Sequence, residues 1–297
     1  MFQTALVMLA FDERDTTVLA AVRALTPSAG IERLLVAHVY AQDPFPPWVD
    51  PATPAAPLPE RPAALDAALE GLIAALPNVE VVGLHAVGSP AEELQRIIAS
   101  EDVDLLVIGR NGASNGKPGW GPSGRQLIRG VTCSVFVVPV TAQLNLSHAT
   151  VGLDFSERSI EALQVASGIA HNAVGVYRHE QPERAARVQS PEADGSPTSV
   201  TTVRDKALAH FEAEVVPQFE GRTTPSLWVG SGASATDALL EHAKGGLIVV
   251  GSRGLSRLAT VLLGSTAESV AGLAAGPVLI VRRKGESRSL VAGLLHR

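Results

Sequence analysis

Short apolar runs recur along the chain, and between them apolar residues are spaced three or four positions apart. A near-continuous apolar run is typical of a strand buried in a parallel sheet, whereas the wider spacing is typical of an amphipathic helix. In the first half the pattern predicts strands at 4–10, 33–40, 79–87, 104–109 and 134–140, and helices at 15–25, 63–76, 90–100 and 123–129. This alternation predicts an α/β fold in which helices cover both faces of a parallel sheet.

The same order of elements begins again after a linker near 141–147. The segment 109–112 (GRNG) precedes 251–254 (GSRG) by 142 positions, and 39–40 (VY) precedes 176–177 (VY) by 137. These spacings indicate a tandem duplication. The second set of predicted elements comprises strands at 149–153, 173–178, 225–230, 247–250 and 278–281 and helices at 157–171, 203–219, 233–243 and 264–276.

The duplication predicts a domain at 1–143, a second domain at 147–284 and a C-terminal tail at 285–297. Each half also contains a proline-containing segment, 43–62 in the first and 180–199 in the second. Because proline lacks an N–H group and fixes its backbone, these segments are predicted to be loops.

Length, charge and cysteine content narrow the class of protein. The 297 residues suit two domains of about 150 residues each. A net charge of −6 argues against a nucleic-acid surface, which would need clustered Lys and Arg. The single cysteine, Cys133, excludes an intrachain disulfide and favours a reducing compartment. The first residues lack the basic start of a signal peptide, and no apolar run reaches the length of about 18 residues that a membrane helix needs. We therefore expect a cytoplasmic protein without a membrane partner.

A glycine-rich stretch near the end of the second half carries the candidate chemistry. The strand at 247–250 stops at Gly251, Gly254 follows, and Gly264, Ser265 and Thr266 open a helical pattern. A strand, a glycine loop and a helix start offer backbone N–H groups to an anion such as phosphate. An alternative interpretation is a plain loop with a capping box, in which the side chains at 265 and 268 satisfy the helix's own N–H groups.

The spacing G-x2-G-x9-G-[ST] at Gly251, Gly254, Gly264 and Ser265 resembles the ATP-binding signature of the universal stress protein family. The resemblance covers nearly the whole chain and implies two tandem, doubly wound parallel sheets of five strands in the order 3-2-1-4-5. This is the fold class of the adenine nucleotide alpha hydrolase-like proteins. It also implies that the ligand is an adenine nucleotide, ATP with or without Mg²⁺, bound where strands 1 and 4 of one domain meet.

The same resemblance assigns roles to individual positions. Asp154, at the end of the first strand of the second half, matches the family's nucleoside contact, although a residue at that position can also cap the helix that follows. The backbone of Val176 matches the position that reads the adenine edge. Arg253 can neutralise phosphate charge or remain a solvated loop residue. The candidate cofactor-binding residues are therefore Asp154, Val176, Gly251, Arg253, Gly254, Gly264, Ser265 and Thr266.

The first half departs from this pattern. Ala10 stands where Asp154 stands in the second half, and Pro122 replaces Ser265. Proline offers no N–H to a phosphate. The glycine loop is one residue shorter, and Trp120 places a bulky ring in it. We expect the first half to keep the fold with a degenerate nucleotide site, so that each chain binds one nucleotide.

No catalytic or metal-binding pattern is evident elsewhere, and the site has no clear general base or Walker A lysine. We therefore expect a nucleotide-dependent regulator of a stress response rather than a fast enzyme. Slow ATP hydrolysis at the same residues and a nucleotide-free interaction module are the alternatives. The fifth strands, 134–140 and 277–282, are expected to pair, as edge strands do in the family, within one chain or between two chains.

Overall fold

The computed structural model describes residues 1–41, 60–112, 117, 119–120, 122–179, 200–231, 234–254 and 263–283. The predicted loop at 180–199, most of the predicted loop at 43–62 and the predicted tail at 285–297 lie outside the described residues.

Strands and helices alternate through the first half, as the apolar pattern predicts. The elements are β1 (Thr4–Leu9), α1 (Arg14–Ala29), β2 (Arg33–Ala41), α2 (Ala63–Ala75), β3 (Glu80–Gly88), α3 (Pro90–Ser100), β4 (Leu105–Arg110), α4 (Pro122–Gly130) and β5 (Ser134–Pro139).

The second half repeats this order. Its elements are β6 (His148–Gly152), α5 (Glu157–Ile169), β7 (Asn172–His179), α6 (Val200–His210), β8 (Ser226–Ser231), α7 (Ala235–Ala243), β9 (Leu247–Gly251), α8 (Ser265–Leu273) and β10 (Val278–Val281). The predicted single helix at 203–219 is wrong in its second part, because α6 passes into a π-helical segment, Phe211–Val215, and a 3-10 turn, Val216–Phe219.

All ten strands form one sheet in the order β3-β2-β1-β4-β5-β10-β9-β6-β7-β8. Each half therefore has the strand order 3-2-1-4-5, and its five strands are parallel, which confirms the predicted fold class. The two five-stranded units are not separate sheets, because the antiparallel pair β5–β10 joins them. The pairing of fifth strands within one chain is thus confirmed.

β5 and β10 are the equivalent fifth strands of the two halves, and they pair in antiparallel. Val278 pairs with Val137, Leu279 with Phe136, and Ile280 with Val135, and all six side chains are fully buried. Since each fifth strand has a neighbour on both sides, neither offers a free edge to a second chain. Association between chains remains a prediction, and it would have to use another surface.

The core lies in two layers, one on each face of the sheet. Helices α1, α2 and α5 and the segment after α6 pack on one face, with buried residues such as Val18, Leu72 and Leu163. Helices α3, α4, α7 and α8 pack on the other, with Leu94, Ile128 and residues of α8. Side chains along β5 and β10 alternate between the two layers, which explains their continuous apolar runs.

Strand register corrects one detail of the predicted repeat. Thr4 pairs with Arg33 in the first half and His148 pairs with Asn172 in the second. On this register Ala37, which pairs with Met8, occupies the place of Val176, which pairs with Gly152. The alignment of 39–40 with 176–177 is therefore wrong by two residues, since it followed a shared Val-Tyr dipeptide rather than the position in the sheet.

Candidate functional site

A cavity of about 310 Å³ lies at the carboxyl ends of β6 and β9. In the second half β6 is the strand at which the order reverses, since β7 follows it on one side and β9 on the other. Ligands of doubly wound sheets bind at such a switch point. The cavity is lined by all eight candidate residues: Asp154, Val176, Gly251, Arg253, Gly254, Gly264, Ser265 and Thr266.

The turn between β6 and α5 fixes the carboxylate of Asp154. Its Oδ1 accepts hydrogen bonds from the backbone N–H of Ser156, at 3.0 Å, and from the Ser156 hydroxyl. Ser156 is the residue that caps α5, because its side chain accepts from the N–H of Ser159. Phe155, between them, has a left-handed backbone with φ of 60°. Asp154 therefore supports the cap without being the cap, and the strained turn holds its carboxylate at the cavity wall.

The positions of the three motif glycines each favour glycine for a different structural reason. A Cβ at Gly254 would lie 2.6 Å from Oδ2 of Asp154, so a side chain there would force the carboxylate to move. A Cβ at Gly251 would instead meet the backbone oxygen of Arg158 in α5, at 3.1 Å. Gly251 thus permits the packing of a helix, whereas Gly254 permits the approach of the loop to Asp154.

The third glycine, Gly264, is the N-cap residue of α8, and no side chain caps the helix there. The backbone N–H of Gly264 donates to the carbonyl of Ser252, at 2.7 Å, which closes the loop. Ser265 is the first helical residue, and the carboxylate of Glu268 pairs with Arg129 of the first half. The capping-box alternative is therefore wrong, because neither of its side chains takes the capping role. The first turn of α8 presents N–H groups to the cavity, and such groups suit an anion.

Two guanidinium groups add positive charge to the wall. Arg253 and Arg178 both line the cavity, together with the carboxylate of Asp154. The Nε of Arg253 is buried and has no hydrogen-bond partner among the described residues. A buried donor without a partner is costly, so a ligand acceptor at this place would be stabilising.

Part of the cavity lining is apolar. Val176, Leu239 and Val250 line it and are at least 96% buried, since their exposed fractions are 4%, 2% and 4%. The carbonyl of Val176 accepts from the N–H of Leu153, at 3.0 Å, which leaves it one further lone pair. An apolar wall beside a cationic one suits a ligand with a flat, weakly polar ring and an anionic end.

Half of the cavity's lining residues were not among the sequence candidates: Gly152, Leu153, Ser159, Arg178, Ala235, Leu239, Val250 and Ala267. Ser159 lies on α5, and Ala235 and Leu239 lie on α7, so these three are outside the glycine motif. Arg178 lies two residues after Val176 on β7 and shares its face, so the period of the strand is the signal that would have found it.

The corresponding place in the first half is built differently. Phe11 has the same left-handed backbone as Phe155, with φ of 57°, which supports the alignment of Ala10 with Asp154. The backbone N–H groups of Ala10 and Phe11 donate to the carboxylate of Asp15, at 3.0 and 2.7 Å. Asp15 occupies the place of Ser159. A carboxylate at this strand end would repel phosphate, which adds a further difference to those seen in the sequence.

The shortened loop of the first half is used for packing. Trp120 packs against the core layer of α3 and α4, and the guanidinium of Arg110 lies 5.9 Å from the centre of its ring. A Cβ at Gly119 would overlap the carbonyl oxygens of Asn111, at 2.1 Å, and Gly112, at 2.6 Å. The described part of this loop is folded tightly onto its own backbone.

Fold and site together define a class: a tandem, doubly wound α/β protein with a switch-point cavity in its second unit. The chain belongs to the universal stress protein family, because the model of the family named "Universal stress protein family" matches residues 1–139 and again 146–282.

Solved structures show the same fold. A universal stress protein from Archaeoglobus fulgidus DSM 4304 is 18% identical, with 94% of this chain and 98% of that chain covered and a TM-score of 0.56. A functionally unknown protein from Pseudomonas aeruginosa PAO1 is 16% identical, with 100% and 98% covered and a TM-score of 0.63. No curated protein sequence matches the chain.

Within the part of the chain that the structure describes, no helix is both long and apolar enough to cross a membrane. Nor do the described residues contain a group of three or more His, Cys, Asp or Glu side chains that could hold a metal ion.

Proposed function

We propose that the chain binds an adenine nucleotide, ATP accompanied by Mg²⁺, in the cavity of its second half and acts in the cytoplasm as a nucleotide-dependent regulator of a stress response. The observation that carries this proposal is the convergence of Asp154, the glycine turn and the first turn of α8 on one cavity at the switch point.

The residues present fit the parts of the ligand. The apolar wall of Val176, Leu239 and Val250 suits the base, and a carboxylate is a good acceptor for ribose hydroxyls. The guanidinium of Arg253 and the N–H groups of α8 suit the phosphates. Because Gly254 has no side chain, the carboxylate of Asp154 can stay within reach of the nucleoside.

A regulatory role agrees better with this cavity than fast hydrolysis does. Asp154 is the one carboxylate among its described lining residues, and its Oδ1 already accepts two hydrogen bonds from Ser156. A hydrolase would need a group that orients the attacking water. We therefore propose that bound nucleotide is kept rather than turned over quickly.

The small molecules that the purified protein releases on denaturation test the proposal. Absorbance and chromatography should identify adenine nucleotide in the unchanged protein, and less of it in the variant Asp154→Ala. Gly112→Ala is a matched control, because a Cβ at this first-half position would meet nothing within 4 Å. Protein that releases no nucleotide and also fails to bind added ATP with Mg²⁺ would refute the proposal.

A further inference from the structure

Helix α8 connects the cavity to the first half of the protein. Its first turn supplies Ser265, Thr266 and Ala267 to the cavity wall. Both ends of this one helix are also held by side chains or backbone groups from the other half. Residues that do not line the cavity therefore contact the helix whose first turn does.

The carboxyl end of α8 is held by a buried arginine. The guanidinium of Arg110 donates to the carbonyl oxygens of Gly272, at 2.8 Å, and Ala274, and the N–H of Gly119 also donates to Gly272, at 3.1 Å. Arg110 is only 1% exposed. Burial lowers its pKa to about 10, so the group remains charged at neutral pH. A cation at the carboxyl end of a helix is stabilising, because carbonyl oxygens without helical partners collect there.

The amino end of α8 is held by helix α4. Glu268, in the first turn of α8, accepts from Nε and Nη2 of Arg129, at distances of 2.7 to 3.0 Å, and Arg125 lies 3.5 Å away. Arg129 is 55% exposed, so this pair is weaker than the buried contact of Arg110. The two contacts fix the helix at both ends, with Arg110 as the stronger one.

The counterpart of Arg110 comes from a different position in the second half. The GRNG and GSRG segments align Arg110 with Ser252, whose backbone carbonyl accepts from the N–H of Gly264. The matching contact is made instead by Arg282, just after β10, whose guanidinium donates to the carbonyl oxygens of Ile128 and Val131 at the carboxyl end of α4. The loop that lost the features of a site in the first half therefore supplies a long side chain to the second. Each half therefore holds the carboxyl end of one helix of the other, and only the contact of Arg110 is made to a helix that lines the cavity.

We propose that the first half positions the phosphate-binding turn of α8, with Arg110 as the principal positioning residue and Arg129 as a secondary one. The inference rests on the proposed nucleotide site. It adds that residues of the first half contribute to the affinity of that site for nucleotide. Coupling is reciprocal, so nucleotide bound in the second half should in turn stabilise the contacts of Arg110 and α4.

The test compares two ligands in the full chain. Arg110→Met should weaken binding of ATP with Mg²⁺ by about 5- to 150-fold, the usual range of coupling between sites. The affinity for adenosine, measured by competition, should stay nearly unchanged, because adenosine has no phosphate for α8 to bind. Arg110→Lys keeps a charge and should restore part of the ATP affinity. Arg96→Ala is the control, because Arg96 pairs with Glu93 inside the first half.

Hydrogen exchange of the unchanged protein provides a second readout that does not depend on a variant being folded. Saturating ATP should slow exchange in α4 and at 109–112, although both lie outside the cavity. Equal weakening of ATP and adenosine in Arg110→Met would overturn the proposal, as would no change in either or protection confined to the second half. Failure of the unchanged protein to bind ATP would refute the proposed function as well, so the two failures are distinguishable.

Discussion

Replacing Gly254 with alanine perturbs the site by a single methyl group. The added Cβ would lie 2.6 Å from Oδ2 of Asp154, which is closer than carbon and oxygen atoms can approach. Gly254 is not among the residues with a positive φ, so alanine costs little in backbone strain there. The carboxylate must move, and we expect this to disturb its hydrogen bonds to Ser156 and its position at the cavity wall.

The size of the effect follows from the contact that is lost. A hydrogen bond to a charged group contributes about 1.5 to 3 kcal/mol. At about 1.4 kcal/mol for each factor of ten, we expect Gly254→Ala to weaken ATP binding by about 10- to 150-fold. Gly112→Ala changes the equivalent glycine of the first half, where the new methyl meets nothing within 4 Å, and should bind ATP normally.

Titration calorimetry measures both affinities, and a thermal melt without ligand checks that the two variants are folded. An unchanged affinity in Gly254→Ala would show that Asp154 does not contact the nucleotide. Equal weakening in Gly112→Ala would show that the first half takes part in binding directly. Either result would refute the reasoning from the close approach of Gly254 to Asp154.

Three further predictions concern other parts of the protein. ATP turnover should stay below about 1 s⁻¹, the lower end of ordinary enzymes, and an assay of ADP formation that exceeds this rate would favour the hydrolase alternative. The thiol of Cys133 should resist an aromatic disulfide reagent at pH 8 until the protein is denatured, because burial raises its pKa to about 12 and thiolate forms only near that pH; fast reaction of the native protein would contradict this. Asp15→Ser alone should not create a second ATP site, since Ala10 and Pro122 remain, and calorimetry that finds a second site would show that Asp15 is the main block.

Much of the fold follows from the apolar pattern because strands buried on both faces leave a strong local signal. Helix α3 begins and ends at the predicted residues, 90 and 100. Helix α1 runs four residues beyond its predicted end at Leu25. It includes Pro27, and the chain turns only at Gly30, whose φ is 72°. A proline signals a helix end locally, whereas packing of Thr26 and Ala29 against the core decides it here.

The candidate site was predictable where its residues are contiguous in sequence. The glycine turn and the start of α8 form one motif, so their convergence needs only one strand, one loop and one helix. Arg178, Leu239 and Asp15 were missed because their positions depend on how separate elements pack against the sheet. The hydrogen bonds of Arg110 to Gly272 and Ala274 join residues that are 162 and 164 positions apart. No pattern within one half of the sequence predicts them.

The stoichiometry of ATP binding tests the central claim most directly. Calorimetric titration of the full chain with ATP and Mg²⁺ should give close to one site per chain, and Gly254→Val combined with Asp154→Ala should abolish it. A stoichiometry near two, or binding that survives the double variant, would contradict the claim that the second half alone holds the nucleotide.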